Sequence, residues 1–435
     1  MRASKGGQQA PRLPPMLRDA SLRNAPQHEA ALGPQSLMNR AILPVASMLA
    51  IQAMISVCVL ALGVMMPAVA KDLAIDPKLV GIFTAIIYVV AAVLALFAAG
   101  PIVRLGAVRV CQFALLMAAI GLAFNALALV AATVIAVIFI GAAQGPINPA
   151  SAHVLAQRVP REWFGFVFSL KQTGVPIGFA LAGVVFPFLM AHVGWRGASL
   201  VAAAMAIVAI LVVELLRSRI DVVVASGRAP AGIWRSVRFV LGHAQLRVLG
   251  WSALVYVIAQ HTFTFYLVTY LYEHCGLSIA RAGLLLALSQ LAGTALRLVS
   301  GAVGDRIPRM LVLGWTGLAM TVGCVAIGLL RADTPFWLIA LVVIGYGSVV
   351  ISWNGTSQAE FAHLSPPGET AAVAAVQTSL AFSGAVFGPP LFALIASTVS
   401  YRAAFFAVAA CVLAAAVWQL AAARAPAKAP ASPPR

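Results

Sequence analysis

From about residue 43 to residue 424 the chain is a succession of apolar runs, most of them 20 residues or longer, separated by short breaks that hold most of the charge. A helix rises 1.5 Å per residue and a bilayer's hydrocarbon core is about 30 Å thick, so a run of about 20 apolar residues is what a spanning helix needs. The pattern predicts twelve spans, at about 43–70, 77–100, 107–130, 132–156, 163–192 and 197–217, then 247–272, 279–303, 310–331, 335–360, 370–398 and 402–424. Strands of a membrane barrel would alternate apolar and polar residues over about ten positions, and these runs do not. The fold class expected is an all-α membrane protein of twelve transmembrane helices.

Composition agrees and excludes a soluble chain: 62% of the residues are hydrophobic and 9% charged, against about 45–50% and about 25% in soluble domains. Five cysteines lie far apart with no CxxC pair, which implies neither a disulfide framework nor a metal site. No HExxH, GxSxG or phosphate-binding glycine loop occurs, and no pair of acids lies within the membrane, so no enzyme and no cofactor are expected. No cleavable leader is expected, and the first apolar helix is expected to serve as the insertion signal.

The net charge of +17 is explained by topology rather than by nucleic acid. With both ends of the chain placed inside, 21 of the 29 Lys and Arg residues fall on the cytoplasmic side. Six (Lys71, Lys78, Arg196, Arg281, Arg331 and Arg402) fall outside, and Lys171 and Arg297 lie within helices. Basic residues are retained on the cytoplasmic side during insertion, so this asymmetry places a multi-pass protein in the cytoplasmic (inner) membrane with both termini inside. The basic tail is also able to meet anionic membrane lipid.

The two halves repeat. Arg104 and Arg306 are 202 residues apart, Gln172 and Gln377 are 205 apart, and Asn148/Asn354 and Pro160/Pro366 are each 206 apart. The expected organisation is a disordered tail over 1–40, a six-helix bundle over 41–217, a cytoplasmic linker over 218–246, a second six-helix bundle over 247–424 and a tail over 425–435. A doubled bundle of this kind is how many transporters are built, with the substrate site near the midplane between the repeats.

In the second half the stretch "GAVGDRIPR" holds Gly301, Asp305, Arg306 and Arg309 at the spacing of the G-x-x-x-D-R-x-G-R signature of the major facilitator superfamily, with Pro308 replacing its second glycine. The first-half copy keeps Arg104, Gly106 and Arg109 but has Ala99 and Val103 in place of the glycine and the acid. The chain resembles that superfamily over about residues 43–424, and "SLKQTGVPIGFALAG", "SWNGTSQAE" and "FGPP" are similar to a bacterial branch with cyanate-transporter-like members. The resemblance implies two pseudo-symmetric six-helix bundles that rock to give alternating access. It also implies that Arg104, Asp305, Arg306 and Arg309 gate, with Asp305 and Arg306 latching one state by pairing with each other and with a helix-end dipole.

Spans 1, 4, 7 and 10 line the cavity in the resembled family, which makes their polar residues the substrate candidates: Gln52, Gln144, Asn148, Tyr256, Gln260, His261, Trp353 and Asn354, with Gln172 and Gln377 beside them. Each Gln, Asn or Tyr has two readings, interhelical bonding and substrate contact. Lys171 and Arg297 stand out because a cation at a helix centre costs roughly 2.5–3.5 kcal/mol; snorkelling to the headgroups is the competing reading. All twelve acids sit in loops, tails or near helix ends. The function expected is therefore a secondary transporter, a monomer working without cofactor, that moves a small organic anion or neutral polar molecule by symport with an ion, a proton being the coupling ion read from His261. A multidrug efflux antiporter and a non-transporting sensor are the alternatives.

Overall fold

The computed structural model describes residues 34–74, 79–221 and 232–424. The first half comprises α1 (Pro34–Asp72), α2 (Leu79–Phe97), α3 (Ala99–Leu105), α4 (Ala107–Ala126), α5 (Val130–Gln144), α6 (Ile147–Arg158), a short 3-10 turn (Arg161–Trp163), α7 (Phe164–Gln172) and α8 (Gly174–Ile220). After α9 (Ile233–Gly242) come α10 (Ala244–Glu273), α11 (Ile279–Gly304), α12 (Arg309–Gly328), α13 (Phe336–Leu364), α14 (Thr370–Thr398) and α15 (Tyr401–Arg424).

Ten described stretches are long and apolar enough to cross a membrane. An eleventh is the bent pair Phe83–Phe97 and Ala99–Leu105, which turn by 53°. Pro101 explains the bend, because it has no N–H for the Phe97 carbonyl and its ring crowds that oxygen. The twelfth emerges from α8, whose 47 residues are two helices meeting at Gly194, where φ 67° and ψ 173° lie outside helical space. Glycine tolerates that backbone because it has no Cβ. The twelve-helix architecture read from the hydropathy pattern is thus present, with spans 4 and 5 each broken in the middle.

The element bounds correct the sequence reading in two places. Helix α1 begins at Pro34, inside the stretch expected to be a tail, while residues 1–33 and the 425–435 tail lie outside the described residues, as does Lys78. The 218–246 stretch, expected as a cytoplasmic linker, contains α9, and α10 starts at Ala244. Helix α9 forms because its apolar residues keep helical spacing: Ser236 and Val240 face α14 and α10, while Trp234, Arg235 and Arg238 are exposed.

Each half has its own apolar core, and a third, smaller cluster joins them through Leu155, Phe164 and Phe168 against Ala359, Ala362 and Ala374. Contacts between halves run from α7 to α11 and α13, and from α2 and α6 to α14. Helix α8, which continues span 5 beyond Gln172, packs on α1, α4 and α7, all of its own half. The halves meet at the end of the molecule that carries Arg104, Arg109, Arg158, Arg161, Arg306 and Arg309, here termed the basic face, and again through Tyr88 against His261 and Phe382.

Candidate functional site

The polar centre of the molecule is organised by a break in span 5. Pro176 has no N–H to give the carbonyl four residues before it, which is that of Gln172, and Thr173 closes α7 by donating from Oγ1 to the Leu170 carbonyl at 2.6 Å. The released Gln172 carbonyl accepts from Arg297 Nη1 at 2.8 Å. The rest of the Arg297 guanidinium is held by one carbonyl of α13, Ile351, which accepts from Nη2 at 2.8 Å and from Nε at 3.2 Å. Arg297 thereby ties the second half to the first through backbone alone. It is 3% exposed and does not snorkel.

Lys171 precedes that break and is completely buried. Its ammonium has three protons, and three amide oxygens take them: Gln52 Oε1 of α1 at 2.8 Å, Asn148 Oδ1 of α6 at 2.8 Å and Gln172 Oε1 at 3.0 Å. No carboxylate contacts Lys171 or Arg297 among the described residues. The lysine also orients its neighbours. With their oxygens turned toward Nζ, the amides of Gln52, Asn148 and Gln172 direct their –NH2 groups away from it, and no acceptor among the described residues takes them. Five side chains chosen from separate positions in the sequence thus come together as a cluster that carries two charges of one sign and offers only donors outward.

The remaining candidates divide. Gln260 accepts from Trp353 Nε1 at 3.1 Å, and both belong to the second half's facing helices. His261 Nε2 lies 3.2 Å from the Tyr88 hydroxyl of α2, while its Nδ1 lies 3.1 Å from the Val257 carbonyl. A carbonyl only accepts, so Nδ1 carries a proton, and Nε2 shares a hydrogen bond with the Tyr88 hydroxyl, a group able to donate or to accept. Asn354 accepts from Gln358, and Gln377 donates to Ser357 Oγ at 3.2 Å. Gln144 lies in α5 with its buried Oε1 lacking a partner. Tyr256 turns into its own half, where its hydroxyl meets Gln419 Oε1 at 2.7 Å and the Leu313 carbonyl at 3.1 Å. That is interhelical bonding, the first of the two readings.

At the basic face, Asp305 at the end of α11 crosses to the first half and accepts from the backbone N–H groups of Gly165 at 2.6 Å and Phe166 at 2.8 Å. These are free donors at the start of α7, where an anion is favoured. The pairing with Arg306 is corrected: Arg306 is exposed, and the guanidinium at 2.8 Å from Asp305 belongs to Arg309. Arg309 also lies 3.5 Å from Glu360 and donates to the Arg161 carbonyl of the first half at 3.2 Å. Close approach is possible because glycines line the seam: a Cβ on Gly301 would overlap the Gly165 carbonyl, and one on Gly165 would sit 2.7 Å from Asp305 Oδ1.

The first-half copy works within its own half. Arg109 pairs with Glu214 at 3.0 Å, and Asp221, just past α8, accepts from Val108 N at 3.0 Å. Arg104 is exposed. Tyr88, Asp221 and Glu214 were missed by reading motifs, since each acts through a partner about 100 or more residues away.

The family model for the Major Facilitator Superfamily matches residues 48–389. Two relatives from Mycobacterium tuberculosis, the uncharacterized MFS-type transporters MT3072 (strain CDC 1551 / Oshkosh) and Rv2994 (strain ATCC 25618 / H37Rv), are each 26% identical over 271 residues. Those matches cover 61% of this chain and 59% of each relative, so the chain spans less than two thirds of the length of these relatives. Among solved structures, the E. coli transporter FucP in the outward conformation superposes with a TM-score of 0.71 at 14% identity, covering 88% of this chain and 99% of FucP. The human organic anion transporter MFSD10 gives 0.67 at 15% identity, covering 88% and 99%, and the proton:xylose symporter XylE gives 0.67 at 14%, covering 88% and 95%. At such identities these likenesses speak for the fold. Together with the loop signature, the twelve helices and the family match over most of its length, they show that this multi-pass membrane chain belongs to the Major Facilitator Superfamily.

Proposed function

We propose that the protein is a secondary transporter that carries a small anion, of the size and charge of a simple carboxylate, by alternating access. The observation that carries this reading is the Lys171 cluster: two adjacent buried cations held by neutral oxygens, with outward-facing amide donors and no acid. Charge buried without a counterion is costly, and an entering anion supplies that counterion at the place where the donors converge. A cation would meet like charge and no acceptor. In this reading the basic face is cytoplasmic, from the positive-inside asymmetry, and the arrangement described is the one closed to the cytoplasm and open outward.

The stretch "SLKQTGVPIGFALAG" supplies Lys171, Gln172 and Pro176, so the similarity to cyanate-transporter-like members and the anion reading rest on the same residues. His261 is proposed to couple transport to protons. It bridges the halves to Tyr88, and protonation of Nε2 makes that nitrogen the donor in the bridge and adds a charge between the halves. Purified protein tested by ligand-induced thermal stabilisation against small carboxylates, their amides and the matching amines distinguishes the readings. Stabilisation by carboxylates, lost in Lys171→Gln, is expected. Stabilisation by amines alone would turn the reading to cation efflux.

A further inference from the structure

A cavity of about 540 Å³ opens at the basic face, beside the loop where the first-half signature lacks its acid. Its walls come from Leu96, Phe97 and Arg104 around the α2–α3 bend, from Ile233 and Ser236 of α9, and from Ala372 in the first turn of α14. It therefore touches both halves and the helix that links them. The internal repeat says what should stand here. In the second half the Asp305 carboxylate joins α11 to the start of α7, and at the related place in the first half stands Val103, on α3, which packs on α14 with no charge to offer.

Three features of the site ask for a negative group: the uncapped start of α14, Arg104 and Ser236. No side chain caps α14, so its first N–H groups lack the acceptor that Asp305 gives α7. The residue that precedes α14, Glu369, is 3.9 Å from Arg235 instead. Arg104 is exposed and has no ion-pair partner among the described residues. Ser236 is 4% exposed, lines the cavity, and its hydroxyl has no hydrogen-bond partner. The remaining walls are apolar, and Phe97 and Leu105 are 55% and 52% exposed at the rim, so a free inorganic ion would leave most of the surface unused. The ligand that matches has an anionic head and a hydrocarbon tail.

We propose that this cavity binds an anionic phospholipid of the cytoplasmic leaflet. The headgroup phosphate sits between Arg104, Ser236 and the start of α14, and an acyl chain lies along Leu96, Phe97 and Ile233. The exposed Trp234, Arg235 and Arg238 of α9 place that helix at the same membrane surface. Because the site spans both halves, the lipid supplies from the membrane the bridging charge that the first-half loop has lost, and it favours the state in which the basic face is closed. The proposal uses the orientation given above and is independent of the anion cargo.

The test is the state population in nanodiscs of phosphatidylcholine alone and of phosphatidylcholine with phosphatidylglycerol, read by spin labels at the exposed positions Glu162 and Pro367 on the two halves. Phosphatidylglycerol is expected to raise the closed fraction relative to the open one about fivefold, the scale of one arginine at an anionic surface. Arg104→Gln removes the response. Val103→Asp restores the acid and makes the closed state dominant in phosphatidylcholine alone. Equal populations in both lipids, or an Arg104→Gln protein that responds like the wild type, would overturn the proposal. So would an equal response to inorganic phosphate in phosphatidylcholine, which would assign the site to a soluble anion.

Discussion

Replacing Asp305 by Asn should open the basic face. The carboxylate accepts two backbone N–H groups of α7 at 2.6 and 2.8 Å, and both bonds cross between the halves. The ion pair with Arg309 lies within the second half and is left out of the comparison. Asn keeps one oxygen for one N–H and turns its own –NH2 toward the other. One charge-assisted bond is lost and the second is reduced to a neutral one. Hydrogen bonds to charged groups contribute about 1.5–3 kcal/mol and neutral ones about 1, so the closed state loses about 2–5 kcal/mol. At about 1.4 kcal/mol per tenfold, the open-to-closed ratio rises at least roughly 30-fold. Double electron–electron resonance between labels at Glu162 and Pro367, in a background without the exposed Cys411, reads that ratio directly. Asp221→Asn is the control, because Asp221 gives Val108 N the same kind of bond inside one half. A population unchanged by Asp305→Asn, or shifted as far by Asp221→Asn, refutes the latch.

Other expectations are as direct. Gly301→Val should block closure of the basic face and trap the open state, because its Cβ overlaps the Gly165 carbonyl; the same labels report it, and a wild-type distance distribution would contradict it. His261→Gln should flatten the pH profile of uptake. The imidazole bridges the halves to Tyr88 and gains a charge on protonation, so transport in the wild type responds to pH through this contact and the variant lacks that response. Lys171→Gln should weaken binding of a carboxylate at least tenfold, the loss of one charge-assisted contact, while leaving binding of neutral solutes within about twofold.

Much of this was legible in the sequence for physical reasons. Spanning length is set by the bilayer, so twelve spans show as twelve apolar runs, and Lys171 and Arg297 stand out because cations are rare at such positions. What the chain alone does not display is which residues meet. Arg309 rather than Arg306 pairs with Asp305 because α11 ends at Gly304 and α12 starts at Arg309, and the turn between them brings Arg309 back to the acid while Arg306 points outward. The amide orientation around Lys171 depends on helices α1, α6 and α7 converging, and that convergence has no local signature. Helix α9 was hidden by its own charge, since an amphipathic helix at a membrane surface has the composition of a polar linker.

Exchange in proteoliposomes tests the central claim most directly. Vesicles loaded with an unlabelled small carboxylate and diluted into a trace of the labelled one should accumulate label in a saturable way. Lys171→Gln and Arg297→Gln should abolish that uptake, and a lipophilic cation should not exchange at all. Saturable exchange of the cation alone, undiminished by either substitution, would contradict the account.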